Sequence, residues 1–144
     1  MSIIIGLDIG KKRTGIAKSD NLGIIIKPLK TVLTENLIEE LKKLNDENSI
    51  EHFIIGEPIN IEKGNNEAHE FVLKTKLGIE KNFNQIKTTL IDERFTSKEA
   101  QAALKQQGKK ITKDNKDLID MYAAAIILEQ YFSFYSSDDA HENP

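Results

Sequence analysis

The chain has 144 residues, 39% hydrophobic and 30% charged, with no cysteine and a formal charge of −3. That is enough chain for one domain with a proper core, and it excludes disulfides and a thiolate zinc site. The opening apolar stretch is interrupted by Gly6 and Asp8 and has no charged lead, unlike a signal peptide. No run approaches the roughly 20 apolar residues of a spanning helix, so a soluble protein of the cytoplasm, away from membranes, is expected.

Residues 2–7 read as a strand buried on both faces, since polar alternation is missing. Residues 10–13 make a tight turn, and 14–19 a second, weaker strand. Asp20, Asn21 and Gly23 make the next turn. A third strand covers 24–32, where Pro28 implies an edge position or a bulge. Short turns join these three strands into an antiparallel meander. Thr34 is positioned to cap a helix over 35–45, with Leu37, Ile38, Leu41 and Leu44 inward.

Residues 52–55 form a short strand ending at Gly56, followed by a loop with Pro58 and Gly64. A second helix spans 67–76 or a little beyond, with Phe71, Val72 and Leu77 inward and Gly78 weakening its end. Residues 86–91 form a strand that stops at Asp92-Glu93-Arg94. Thr96 or Ser97 caps a third helix that ends at Gly108. Residues 109–116 make a basic loop. The last helix runs from Asp114 or Asn115 to about Phe132, with Leu118, Ile119, Tyr122, Ala123, Ile126, Ile127 and Tyr131 inward. Residues 133–144 are a frayed acidic tail, leaving one domain over 1–132. Strands joined through helices are most simply parallel. The expected class is therefore α/β: a mixed five-stranded sheet, three strands in an antiparallel meander plus two parallel strands, flanked by helices.

Charge is unevenly spread. Asp138, Asp139 and Glu142 lie in the last nine residues, and without them acids and bases balance. Residues 98–116 carry six lysines against Glu99 and Asp114, and Lys11, Lys12, Arg13 and Lys18 form a second basic cluster. Such clusters are either solvated faces or a track for nucleic acid.

Three acidic positions lie where apolar elements end or turn inward: Asp8, the Asp92-Glu93 pair, and Asp120. Each has an ordinary reading alone. Asp8 could close a strand, Arg94 could neutralise Asp92 and Glu93, and Asp117 and Asp120 could favour a helix N-terminus. The small residues Ala123 and Ala124 would bring the last helix close to the sheet, and Asp120 with it. An acid so placed is costly to bury unless it is paired or metal-bound. Together the three positions point to an oxygen-ligated Mg²⁺ or Mn²⁺ site. His52, His69 and His141 are not placed to serve as base or ligand.

Gly6-Leu7-Asp8-Ile9-Gly10 with Arg13-Thr14-Gly15, Gly56-x-Pro58, Asp92-Glu93-Arg94-Phe95-Thr96 with Glu99-Ala100, and Asp120-x-x-Ala123-Ala124 with Ile127-Leu128 follow in order. This set resembles the YqgF family, also called RuvX, over about residues 3–132. The resemblance implies a ribonuclease H-like fold related to the RuvC resolvases and a cytoplasmic bacterial nuclease. Its implied role is maturation of the 5′ end of pre-16S ribosomal RNA; earlier family naming implied cleavage of four-way DNA junctions. By position, the family's acidic triad falls on Asp8, Glu93 and Asp120. Gly6, Gly10, Gly15, Gly56, Pro58, Asp92 and Asp117 are supporting positions. Glu57 departs from the family's usual apolar residue, and Glu62-Lys63-Gly64 from its Asp-Gly pair.

The implied chemistry is phosphodiester hydrolysis, in which two ions about 4 Å apart can stabilise attacking and leaving oxygens. Asp8 would bridge the ions, and Glu93 and Asp120 would each hold one. Lys11, Lys12, Arg13, Arg94, Lys109, Lys110, Lys113 and Lys116 would follow the substrate backbone. Thr14 either bonds a phosphate or satisfies the turn. The expected partners are structured precursor rRNA, within ribosomal precursor particles, or DNA junctions. The protein would be a monomer or homodimer; cutting a junction symmetrically would require the dimer. A non-catalytic nucleic-acid-binding module is the third reading.

Overall fold

The computed structural model describes residues 2–58, 67–92 and 116–135. The expected loop over 59–66, Glu93, Arg94, the helix after Thr96, Lys109, Lys110, Lys113 and the tail from 136 lie outside the described residues.

The described elements are β1 (Ser2–Ile9), β2 (Arg13–Asp20), β3 (Ile26–Leu33), α1 (Leu37–Glu47), β4 (Ser49–Glu57), α2 (Glu67–Asn82), β5 (Lys87–Asp92) and α3 (Lys116–Gln130). The strands form one sheet in the order β3-β2-β1-β4-β5. β1–β2 and β2–β3 pair antiparallel, while β1–β4 and β4–β5 pair parallel. The expected meander plus two parallel strands is therefore present. Pro28 satisfies both of its expectations: β3 is an edge strand, and the register slips opposite it, between Ile16 and Ala17.

Two apolar layers sandwich the sheet. Ile3, Ile5, Leu7 and Ile9 of β1 join Phe53, Ile55, Leu37, Leu41, Val72 and Ile79 on the α1/α2 face. Ile4 joins Ala17, Ile54, Ile91, Ala124, Ile127 and Leu128 on the α3 face. Strand alternation thus assigns each residue of β1 to a face. It also explains the unbroken apolar run, because both faces are covered. Full burial of each large aliphatic side chain here contributes about 1.5–3 kcal/mol.

Several local expectations are corrected. Thr34 does not cap α1; it opens a 3₁₀ turn over Thr34–Asn36, and its hydroxyl serves the turn after β1 instead. β4 is longer than 52–55, because pairing with both β1 and β5 extends it at each end. α2 does not end near Gly78, as expected, but continues through it to Asn82. Leu77 is exposed, whereas Val72 and Ile79 are its buried apolar residues. A π-helical turn, Tyr131–Tyr135, extends α3 past the expected end near 132. Among the described residues, no helix is long and apolar enough to cross a membrane.

Candidate active site

The parallel strands β1, β4 and β5 all end at the same edge of the sheet, at Ile9, Glu57 and Asp92. Asp8 lies one residue from the end of β1, opposite Gly15 of β2. Alternation from Ile4 and Gly6 places it on the α3 face. α3 supplies the second acid, Asp120, one turn into the helix.

Glycines set how close α3 comes. A Cβ on Gly15 would lie 1.9 Å from the Asp120 carbonyl oxygen, and one on Gly6 would lie 2.8 Å from the Ala124 carbonyl oxygen and 2.6 Å from Leu128 Cγ. Only a residue without a side chain lets the helix backbone rest there. Gly6 and Gly15 are therefore seats for α3, and they deliver Asp120 to the end of β1. Ala17 and Ala124, both fully buried, continue the close contact.

Asp8 bears on the charge state of Asp120. The Asp120 carboxyl is pushed up to about 6, chiefly by burial, then by the negative charge of Asp8; Arg13 opposes this and Asp117 adds to it. Arg13 Nε donates to Asp120 Oδ2 at 3.4 Å and lies 3.7 Å from Asp117 Oδ1. One guanidinium is thus shared by two acids a turn apart on α3.

The turn before Arg13 is fastened from the other face. Gly10 N–H donates to the Arg13 carbonyl at 2.9 Å, and Thr34 N–H to the Lys12 carbonyl at 2.9 Å. The Thr34 hydroxyl donates to the Gly10 carbonyl at 2.6 Å and lies 2.8 Å from the Thr14 hydroxyl. With its one proton so engaged, Thr34 accepts from Thr14. Thr14 is fully buried and bonded to Thr34, which fits the second of its two expected readings, satisfying the turn.

Glu57 falls on the α1/α2 face with Phe53 and Ile55, and His69 Nε2 lies 2.6 Å from its Oε2. The acid that departs from the family pattern is therefore turned away from Asp8 and paired with α2. Nothing in the sequence near either residue reveals that contact between positions 12 residues apart. Asp92 also falls on this face, because Leu90 packs there while Ile91 packs under α3. Gly56 pairs in register with Ile91 beside the site. Lys11 forms an exposed ion pair with Glu67 at 3.3 Å, and Lys12 stands exposed in the turn.

The oxygen-only donor set suits a hard divalent cation better than zinc. Among the described residues, no group of three His, Asp or Glu side chains is close enough to hold one. Asp8 and Asp120 by themselves do not make a complete cation site among the described residues.

Comparison with known proteins places this geometry in context. A family model described as "RuvX: Holliday junction resolvase" matches residues 2–134. A protein of Azobacteroides pseudotrichonymphae genomovar. CFP2, named "Putative pre-16S rRNA nuclease", is 36% identical over 135 residues, covering 93% of this chain and 98% of its own. One of the same name from Bacteroides thetaiotaomicron is 38% identical over 135 residues, covering 91% and 96%. Among solved structures, RuvC of T. thermophilus in complex with Holliday junction substrate superposes with a TM-score of 0.57 at 15% identity, covering 94% of this chain and 98% of that one. At that identity the likeness shows a shared fold, the ribonuclease H-like fold.

Proposed function

Because this chain belongs to the RuvX family, we propose that it is a divalent-metal-dependent endonuclease that processes the 5′ end of pre-16S rRNA in the cytoplasm. The observation that carries the reading is the meeting of Asp8 and Asp120 at the shared end of the parallel strands, where burial first and then the charge of Asp8 raise the Asp120 carboxyl to about 6. Two acids in that relation repel each other at neutral pH. A cation between them converts the repulsion into affinity.

Asp8 and Asp120 would hold Mg²⁺ or Mn²⁺, with Glu93 as the third carboxylate. Asp92 does not fill that place, since it falls on the opposite face from Asp8. When bound, the metal supplies charge neutralisation at the phosphate and an activated water. The chain's own residues do the rest. Gly6 and Gly15 fix the spacing of Asp8 and Asp120. Arg13, Lys12 and Lys11 line the turn beside the carboxylates, where they would meet the substrate backbone and make binding salt-sensitive with little base preference. Arg94, Lys109, Lys110, Lys113 and Lys116 are assigned to the same track by sequence.

The test offers precursor 16S rRNA fragments and a synthetic four-way junction side by side, with Mn²⁺. The expected result is RNA cleavage leaving a 5′-phosphate and a 3′-hydroxyl. Glu93→Gln should abolish it while leaving fold and RNA binding largely intact. Equal activity in E93Q would overturn the site, and preference for the junction would overturn the substrate.

A further inference from the structure

We propose that Arg13 is a positioning residue that occupies Asp120 in the metal-free protein and passes to Asp117 when a divalent cation binds. This rests on the reading that Asp8 and Asp120 hold that cation.

Arg13 reaches both acids from one place: 3.4 Å to Asp120 and 3.7 Å to Asp117, both through Nε. The bond to Asp120 is long and single rather than the bidentate fork of a structural Arg–carboxylate pair. The backbone of Arg13 is fixed by the Gly10 bond and by its place opposite Leu33 of β3. Its side chain is 36% exposed, so the guanidinium has room to move while the strand stays still. The two acids differ in their surroundings: the Asp120 side chain is 26% exposed and the Asp117 side chain 66%.

Arginine stays charged at every working pH, so it and a divalent cation compete for one Asp120 carboxylate. A cation at Asp8 and Asp120 would repel the guanidinium toward solvent. Asp117 lies in that direction, one turn nearer the start of α3, and would catch it. Arg13 would then stand at the rim of the site, where a phosphate approaches. Before metal binds, the same guanidinium supplies counter-charge that keeps the two carboxylates facing each other. This gives Asp117 a function that neither burial nor helix capping provides.

The test measures Mn²⁺ affinity by electron paramagnetic resonance, and melting temperature in EDTA at pH 7.5, for the full chain and its variants. Arg13→Gln should melt lower without metal yet bind Mn²⁺ about tenfold more tightly, the scale of removing one close competing charge. Asp117→Asn should weaken Mn²⁺ binding by about fivefold, because Arg13 then has only Asp120 to rest on. In the R13Q background, D117N should change affinity by less than about twofold, since nothing remains to be caught. Asp117 is exposed, so D117N tests the proposal even if R13Q folds poorly. Glu67→Gln, removing an exposed acid paired with Lys11, controls for net charge and should leave affinity unchanged. Weaker or unchanged Mn²⁺ binding in R13Q would overturn the exchange while leaving the metal site standing. So would a D117N effect that persists undiminished in R13Q. Absence of Mn²⁺ binding in every protein, wild type included, would overturn the metal reading and the exchange with it.

Discussion

The two faces of one sheet edge treat polar groups in opposite ways. On the α1/α2 face, Thr14, Thr34 and the Gly10 carbonyl close a hydrogen-bonded chain, and Glu57 is matched by His69. These groups have what they need within the fold. On the α3 face, a few residues away along the same strands, burial and the charge of Asp8 raise the cost of ionising Asp120, and one long arginine contact is the relief that Asp120 shares with Asp117. The first face holds the turn after β1 in place. The second keeps two acids near each other at a cost, and that cost makes sense where a cation or substrate completes the set.

The strongest way to break this comparison is to lift α3 off the sheet. Gly15→Ala places a methyl group 1.9 Å from a helix carbonyl that cannot rotate away. It should cost about 3 kcal/mol or more by urea denaturation and should lose metal binding as Asp120 moves off Asp8. An alanine tolerated at 15 without loss would show that the glycine seat does not set the site.

The opposite face is tested by Thr34→Val, which leaves the Thr14 hydroxyl and the Gly10 carbonyl without their shared partner. The expected loss is about 1–3 kcal/mol by the same measurement, with cleavage per folded molecule near wild type. A large fall in cleavage with little loss of stability would show that this face, too, belongs to the chemistry.

A smaller effect comes from pH. The Asp120 carboxyl is raised from 3.8 to about 6, so it favours folding fully only below about pH 4, and that contribution is lost as pH rises through 6. With EDTA present, this group should lower stability by about 1–2 kcal/mol over that range, allowing for its partial exposure. The difference in stability between wild type and Asp120→Asn should follow that pH course. A difference constant from pH 4 to 7 would mean that Asp120 is not strained in the folded state.

Much of the sheet was legible because β1 is apolar at every position that two covered faces require. Asp8 and Asp120 stood out because each interrupts an apolar pattern. The glycines could be read only in part: Gly10 belongs to its turn, but Gly6 and Gly15 owe their identity to a helix more than 100 residues later in the chain. Thr34 looked like a helix cap because capping is a local property, and its actual acceptor lies 24 residues back. Glu57 stood out in the sequence as a departure from the family's apolar residue, but its partner on α2 is not local to it. Gly78 and Leu77 were misread for a simpler reason. Helical propensity and period describe an isolated helix, whereas the packing of Val72 and Ile79 decides which face of α2 is covered.

The central claim is that Asp8 and Asp120 share one divalent cation. Titration of Mn²⁺ into the wild type, Asp8→Asn and Asp120→Asn, followed by calorimetry with the fold checked by circular dichroism, tests it most directly. Binding should be present in the wild type and fall by about a hundredfold or more in each variant, as expected when a ligand is removed from a site of few carboxylates. Wild-type affinity in either folded variant would contradict it.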